Sequence, residues 1–265
     1  MPVSAGDQSW IQRLLPRYRY GVILPGTGGT QRGVDYQFYR LVPHDVMQIG
    51  VGLGIRDYSD VTPDSAVEAF WRCVETLQAE SADCVVLSGV PVSAGMGRQR
   101  VCDLLAEVPR RTGQTAYATL ESIVAALGFL GVSRIAMASR FPAETNAVIA
   151  TYLAEAGIQV LATTARDLSL SQARQLSMAD GMQLALDVGR EAAALAPAAE
   201  AILLPGGATL SLHAIPALEA ELGKPVLINL SAEIWQTLVA PGVIPPVAGW
   251  GCLLANRGEV EPRGS

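Results

Sequence analysis

The sequence predicts an α/β protein made of two doubly wound parallel-sheet lobes related by pseudo-twofold symmetry. Three observations lead there. Short apolar runs without polar alternation recur, such as Cys84 to Leu87, Ile135 to Ala138 and Ala201 to Leu204. Runs of this kind suit parallel strands covered on both faces. They alternate with stretches of helical period along almost the whole chain, which is the α/β pattern. A strand–Gly–polar–helix signal also occurs twice, at Leu87-Ser88-Gly89 and at Leu204-Pro205-Gly206, nearly half the chain apart.

The elements follow in order. Tyr20 to Leu24 is a short apolar strand ending in the Gly/Thr-rich loop Gly26 to Thr30. Val34 to Leu41 reads as helix and Asp45 to Gly52 as a second strand. Thr62-Pro63-Asp64 opens a helix, with Thr as N-cap, Pro at N1 and an acid in the first turn. It runs to about Glu80, with Val67, Phe70, Trp71, Val74 and Leu77 on one face. Cys84 to Ser88 is a strand and Gly97 to Thr112 a helix. Thr115 to Ala118 is a strand, and Leu120 to Leu130 a helix closed by Gly131. Ser133 to Ala138 and Gln159 to Thr163 are strands flanking a helix from Pro142 to Ala156. A long helix spans Ala179 to Leu195. Then come strand Ala201 to Leu204, helix Leu212 to Leu222, strand Pro225 to Asn229 and helix Ala232 to Val239. The first lobe is assigned residues 17–114 plus 229–257, and the second 115–228. Residues 1–16 read as an extension, and Arg257 to Ser265 as a frayed tail.

Composition narrows the function. The 265 residues are 50% hydrophobic and only 17% charged, which is a globular balance. The net charge is −6, with no basic run and no aromatic–basic interleaving. Nucleic acid is therefore not expected as a partner. No apolar run reaches the roughly 18 residues of a membrane span, and no signal core is present. Cys73, Cys84, Cys102 and Cys252 show no CxxC and no metal-like spacing with His44 or His213. They read as buried thiols of a cytoplasmic protein, with no metal site. The two histidines are isolated: His44 reads as surface, and His213 as turned away from the cleft. Apolar helices such as the one carrying Phe70 and Trp71 make a homo-oligomer the expected assembly.

In doubly wound sheets the ligand lies at the carboxyl ends of the strands. That rule selects the Gly26 to Thr30 loop, Ser88 to Ser93, Tyr117 to Ser122, Ser139 to Phe141, Pro205 to Thr209 and Asn229 to Glu233. In Ala201 to His213, a buried strand runs through Pro205-Gly206-Gly207 toward a helix start. Free backbone N–H groups and the helix dipole there suit an anion. The Gly26 to Thr30 loop lacks the Lys of a Walker motif and does not match GxGxxG. Glu121, after the Thr115 to Ala118 strand, reads either as a general acid or base or as a first-turn helix acid. Tyr117, Ser88, Ser93, Thr209 and Ser231 are possible hydroxyl donors. Arg32, Arg56, Arg98 and Arg140 are cations placed to pair a carboxylate. Glu233 reads as a first-turn helix acid.

The stretch Ala201 to Val226 with Ser231 to Trp235 resembles the arylmalonate decarboxylase and maleate isomerase group of the aspartate/glutamate racemase superfamily. Asp57 to Pro63, Asp83 to Ser93, Leu127 to Ser139 with Asn146, and Tyr152 to Ala154 agree. The resemblance spans about Tyr20 to Ala255. It implies two facing α/β lobes, an active site between them, no cofactor or metal, and a small carboxylate substrate. It also implies paired cysteines in racemases, a nucleophilic cysteine in the isomerase and a protonating cysteine in the decarboxylase. Here both positions carry glycine, Gly89 and Gly206. The hydroxyl positions fall at Val90 and Pro91, and the tyrosine position at Phe141.

The expected site is therefore built from Glu121, Tyr117 and Ser88 as chemical groups. Thr27, Gly89, Val90, Arg140, Phe141, Gly206, Gly207 and Ala208 surround the substrate. The expected function is a cofactor-independent isomerase or decarboxylase working through an enolate-like intermediate with non-cysteine chemistry. The alternatives are a hydrolase using carboxylate-activated water and a non-catalytic small-molecule-binding homologue.

Overall fold

A computed structural model describes residues 14–26, 32–55, 63–206 and 209–260. The elements are β1 Tyr18–Leu24, α1 Arg32–Leu41, β2 Val46–Gly52, α2 Pro63–Ala79, β3 Cys84–Leu87, α3 Val90–Met96, α4 Arg98–Thr112, β4 Thr115–Ala118 and α5 Thr119–Phe129. Next come β5 Arg134–Ser139, α6 Ala143–Glu155, β6 Gln159–Ala165, α7 Leu170–Gln175, α8 Met178–Leu195, β7 Ala201–Leu204, α9 Ala214–Leu222, β8 Val226–Ile228 and α10 Asn229–Ile234. A π-helical turn, Trp235–Val239, continues α10.

The strands form two four-stranded sheets, ordered β2-β1-β3-β4 and β6-β5-β7-β8. Every pairing is parallel. The second sheet repeats the strand order of the first, so the expected pair of doubly wound parallel lobes is present. The apolar runs are buried as expected: every residue of Cys84–Leu87 and Ala201–Leu204 is in the core. Parallel strands with helices on both faces have no wet side.

Three features differ from the sequence reading. Thr115–Ala118, expected in the second lobe, is the edge strand of the first sheet, in register with β3 from Cys84↔Thr115 to Leu87↔Ala118. Gln114 fixes it there, its Nε2 donating to Ala82 O at 2.6 Å. Two short helices lie where the sequence reading assigned no element. Helix α3 starts directly after Gly89 and stops at Gly97, whose φ of 79° separates it from α4. Helix α7 is nucleated by a capping box between Ser169 and Gln172. Finally, α9 begins only at Ala214. Gly207 lies outside the described residues, and the helix that follows starts two residues later than the expected Leu212.

Helix α2 buries Phe70, Val74 and Leu77 in the core, while Trp71 is half-buried under the Arg111 guanidinium, 4.0 Å from its ring centroid. Phe70 is thus used internally rather than presented to a second copy. The cysteines are free; Cys73, Cys84 and Cys252 are buried and Cys102 only half-buried. No helix among the described residues is long and apolar enough to cross a membrane. Among those residues no cluster of three metal-binding side chains occurs.

The lobes are tied together by the last part of the chain. After β8, α10 leaves the second sheet and packs on α5, which follows the first. Ser122 Oγ donates to Gln236 Oε1 at 2.7 Å, and Leu212 N donates to Gln37 Oε1 at 2.8 Å. Farther on, buried Glu219 on α9 anchors the C-terminal segment. It accepts from Val226 N at 3.1 Å, Cys252 N at 2.9 Å and Cys252 Sγ at 3.3 Å. Glu219→Ala strands two buried N–H groups, and is expected to cost about 2–4 kcal/mol. The urea midpoint should fall, and Cys252 should alkylate faster than in the wild-type chain.

Candidate active site

The first sheet gathers three polar side chains at its carboxyl end. Ser88 extends β3 by one ladder bond, donating N–H to Ile23 O at 2.9 Å. Thr119 opens α5 directly after β4. Glu233 comes from α10, which follows β8 of the other sheet. Ser88 Oγ donates to Glu233 Oε1 at 3.2 Å, and Thr119 Oγ1 bonds to the same oxygen. Gly89 N donates to Thr119 Oγ1 at 3.1 Å, and Thr119 Oγ1 also lies 3.3 Å from Leu87 O.

Thr119 has one hydrogen and two lone pairs. Its three contacts are satisfied together when Glu233 is protonated. Gly89 N–H and the Glu233 O–H then donate to Thr119 Oγ1, whose own hydrogen goes to Leu87 O. The electrostatics agree. Glu233 is 2% exposed. Burial pushes its carboxyl up from the ordinary 4.5 to about 7, against the pull of the Thr119 and Ser88 hydroxyls. Tyr20, buried on β1 and near Glu233, has its phenol pushed well above 10, first by burial and then by the carboxylate.

The second sheet gathers Ser139, Arg140 and Phe141 after β5, and Gly206 after β7. Ser139 Oγ donates to Asn146 Oδ1 at 2.7 Å and accepts from Phe141 N at 3.2 Å, while Asn146 Nδ2 donates to Phe141 O at 2.9 Å. This closed loop of bonds fixes the turn that presents Arg140. Arg140 is 6% exposed, and its guanidinium donates to Leu168 O at 2.9 Å and lies 4.6 Å above the Phe141 ring. A cavity of about 20 Å³ is lined by Ser139, Arg140, Leu184, Gly206, Thr209 and Ser211. That is room for about one water. Helix α3, which follows Gly89, packs on α6, which follows Phe141. The two strand-end groups therefore share one seam between the lobes.

Gly89 and Gly206 occupy equivalent points of the two sheets and have nearly the same backbone, φ 114° and 112°. This is a region that side chains of L-residues rarely enter. A Cβ on Gly89 would lie 2.6 Å from Pro25 Cγ. One on Gly206 would lie 3.3 Å from Phe141 Cζ and 3.6 Å from Arg140 Nε.

The structure thus brings Ser88, Gly89 and Val90 together at one strand end, and Arg140, Phe141 and Gly206 at the other. It brings Glu121 to neither, and sets Tyr117 opposite Val86, one residue short of the end of β4. Tyr117 on β4 neighbours Tyr18, which lies against Cys84 at the amino end of β3. Glu121 is held by Arg98 in a two-pronged pair, Nε to Oε1 at 2.9 Å and NH2 to Oε2 at 3.2 Å. Arg98 NH1 also donates to Glu155 O at the end of α6. Glu121 thus braces α5 against α4 and α6 instead of standing as a free acid. Thr27, Arg56, Gly207 and Ala208 lie outside the described residues. His213 caps α9, stacked on Tyr36 and edge-on to Trp250.

Sequence reasoning missed Thr119 as a site residue and misread Glu233. Glu233 is the fifth residue of α10, not a first-turn acid, and α10 is buried along its whole length. Its sequence carries no mark of this: Asn229, Ser231 and Glu233 alternate with Leu230, Ala232 and Ile234, so burial of the acid follows from packing of α10 on α5 and not from the helix's own pattern.

A twice-repeated parallel sheet with polar groups collected where the strands end defines an α/β protein of two doubly wound lobes. A family model described as arylmalonate decarboxylase matches residues 21–254. The chain belongs to the arylmalonate decarboxylase family. It is 29% identical over 234 residues to the arylmalonate decarboxylase of Bordetella bronchiseptica, covering 88% of this chain and 95% of that protein. An unliganded arylmalonate decarboxylase structure superposes with a TM-score of 0.78 at 27% identity, covering 90% of this chain and 99% of the other. A Nocardia farcinica maleate cis-trans isomerase carrying a covalently bound succinylcysteine intermediate matches with a TM-score of 0.77. At 17% identity, with 90% and 98% of the two chains covered, it shares the fold.

Two outcomes follow. A carboxyl with a raised folded-state pKa contributes stability that is full below its unfolded value and is lost as pH rises through the folded value. The Glu233 share, about 3 kcal/mol, should therefore decline between pH 4.5 and about 7. Chemical denaturation against pH should show this decline, and Glu233→Gln should remove it. Glu121→Gln weakens the Arg98 brace, and is expected to lower the melting temperature while leaving turnover within about threefold of wild type.

Proposed function

We propose that this chain is a decarboxylase of small substituted malonates, working through an enolate-like intermediate without a thiol and without a cofactor. The observation that carries this reading is the pair Gly89 and Gly206 at the two strand ends, where the family resemblance places thiols. The four cysteines lie elsewhere. Cys84 starts β3 and Cys252 lies under Glu219. Burial holds both as thiols, Cys84 pushed up to about 11 and Cys252 to about 12. Burial raises Cys73 and Cys102 as well.

The chemistry distinguishes the two family reactions. Cis–trans isomerisation through a covalent adduct needs a nucleophile that adds to the double bond and then leaves. Decarboxylation needs only an orientation in which CO2 departs, charge stabilisation for the enolate, and one proton delivered to carbon. A glycine pair suits the second requirement and not the first. Arg140, buried and fixed by the Ser139–Asn146 loop, is the group assigned to anchor the carboxylate that stays. Ser88 and Gly89 face the reacting carbon from the other lobe.

Assays of CO2 release on aryl- and alkylmalonates, with maleate run alongside, test the reading. Turnover of a malonate and none of maleate is expected. Treatment with iodoacetamide, and dialysis against EDTA followed by gel filtration, should each leave the rate unchanged. Fast inactivation by the alkylating agent that substrate prevents would return a cysteine to the mechanism.

A further inference from the structure

Ser88 and Glu233 form a donor chain that the reading above leaves unused. The carboxyl of Glu233 sits behind the Ser88 hydroxyl, 3.2 Å from it, and is 2% exposed. Ser88 itself is 7% exposed and stands at the open end of β3. We propose that Glu233 stores the proton that Ser88 hands to the enolate carbon, so that a carboxyl reached through a serine does the work of a thiol. The inference rests on the decarboxylation reading.

The step balances as follows. The bond from carbon to the departing carboxylate breaks, CO2 leaves, and its electron pair enters the enolate. The Ser88 O–H bond breaks as a C–H bond forms at the former malonate carbon, and the enolate becomes a carboxylate. As the Ser88 hydrogen turns from Glu233 Oε1 toward the enolate carbon, the Glu233 O–H turns from Thr119 Oγ1 to Ser88 Oγ, which takes that proton in the same motion. The Glu233 carboxylate regains a proton from water before the next turnover. Overall, a dianionic malonate and one proton give CO2 and a monoanionic acid.

The surroundings suit a proton store. The side chains facing Glu233 are Ser88 from β3, Thr119 from α5 and Tyr20 from β1, while Thr237 of the following π turn donates to the Glu233 carbonyl at 2.7 Å. All are uncharged at neutral pH, with the Cys84 thiol beyond Tyr20. Glu121, the acid at the start of α5, is held by Arg98. Among the described residues, no cation acts on the Glu233 carboxyl to draw the proton off. Thr119 holds the carboxyl in place through its bonds to Gly89 N and Leu87 O. With its carboxyl pushed up to about 7, Glu233 is charged or discharged by small changes near neutral pH.

Steady-state kinetics of wild type, Glu233→Gln and Ser88→Ala across pH 5.5–9 form the test. In the wild type, kcat is expected to fall as pH rises through about 7, because the protonated carboxyl is the active form. Glu233→Gln should lose about 100-fold or more in kcat, with KM changed by less than about threefold and no limb near neutrality. Ser88→Ala should lose a similar factor while keeping the stability decline below pH 7 that marks Glu233. Glu233→Gln with wild-type kcat and an unchanged pH limb overturns the proposal while the decarboxylase reading stands. If Glu233→Gln does not fold, Ser88→Ala decides, and wild-type turnover in that variant overturns the relay. A wild-type chain that turns over no malonate overturns the decarboxylase reading, and the relay with it.

Discussion

The carboxyl of Glu233 bonded to the Ser88 and Thr119 hydroxyls is the contact on which the arrangement of the two lobes turns. It joins the helix that leaves the second sheet to two strand ends of the first. Burying an acid is costly, and two hydroxyls offset only part of that cost while it is ionised. Neutral, the same group is a good hydrogen-bond partner. The seam is therefore at its tightest when Glu233 carries its proton, and cohesion of the fold is linked to the state of one titratable group. The Ser122–Gln236 and Gln37–Leu212 bonds run across the same boundary and bear no charge. They hold the lobes whatever the pH.

Legibility in the sequence followed the range of the interactions. Ala201–Leu204 and the face of α2 were readable because apolar runs and helical spacing are local and periodic. The short helix α3 was not. Gly89, Pro91 and Gly97 punctuate it, and such punctuation ordinarily marks a loop. The placement of Thr115–Ala118 depends on a partner strand about thirty residues earlier, and four residues carry no mark of which sheet they join. At the site, the second-lobe group was legible because Ser139, Arg140 and Phe141 are consecutive and the strand-end rule points to them. The acids were not. Glu121 and Glu233 both looked like helix-start carboxylates. What separates them is that Arg98 reaches one, while the other is sealed behind Ser88, and neither fact is local.

The comparison with the family sharpens the chemical question. The isomerase neighbour carries a succinyl group on a cysteine, which is chemistry on a soft nucleophile. This chain has glycine where the resemblance puts the thiols, and a buried acid close to one of the glycines. Sulfur and carboxyl differ in kind. A thiolate bonds to carbon, whereas a neutral carboxyl serves as a reservoir of protons. On the proposed reading, the reaction is one that needs a proton and no covalent adduct.

The paired glycines at φ 114° and 112° also bear on descent. A return to a side chain at Gly206 meets a ring edge that has only a few tenths of an ångström to yield. At Gly89 the way is shut by the ring of Pro25, 2.6 Å from where a Cβ would stand. The two lobes are therefore unequally reversible. In one, a side chain meets the backbone cost of φ 112° but only a slight steric bar. In the other, a change at position 25 must come first, so the order of substitutions is constrained before selection on activity has any say.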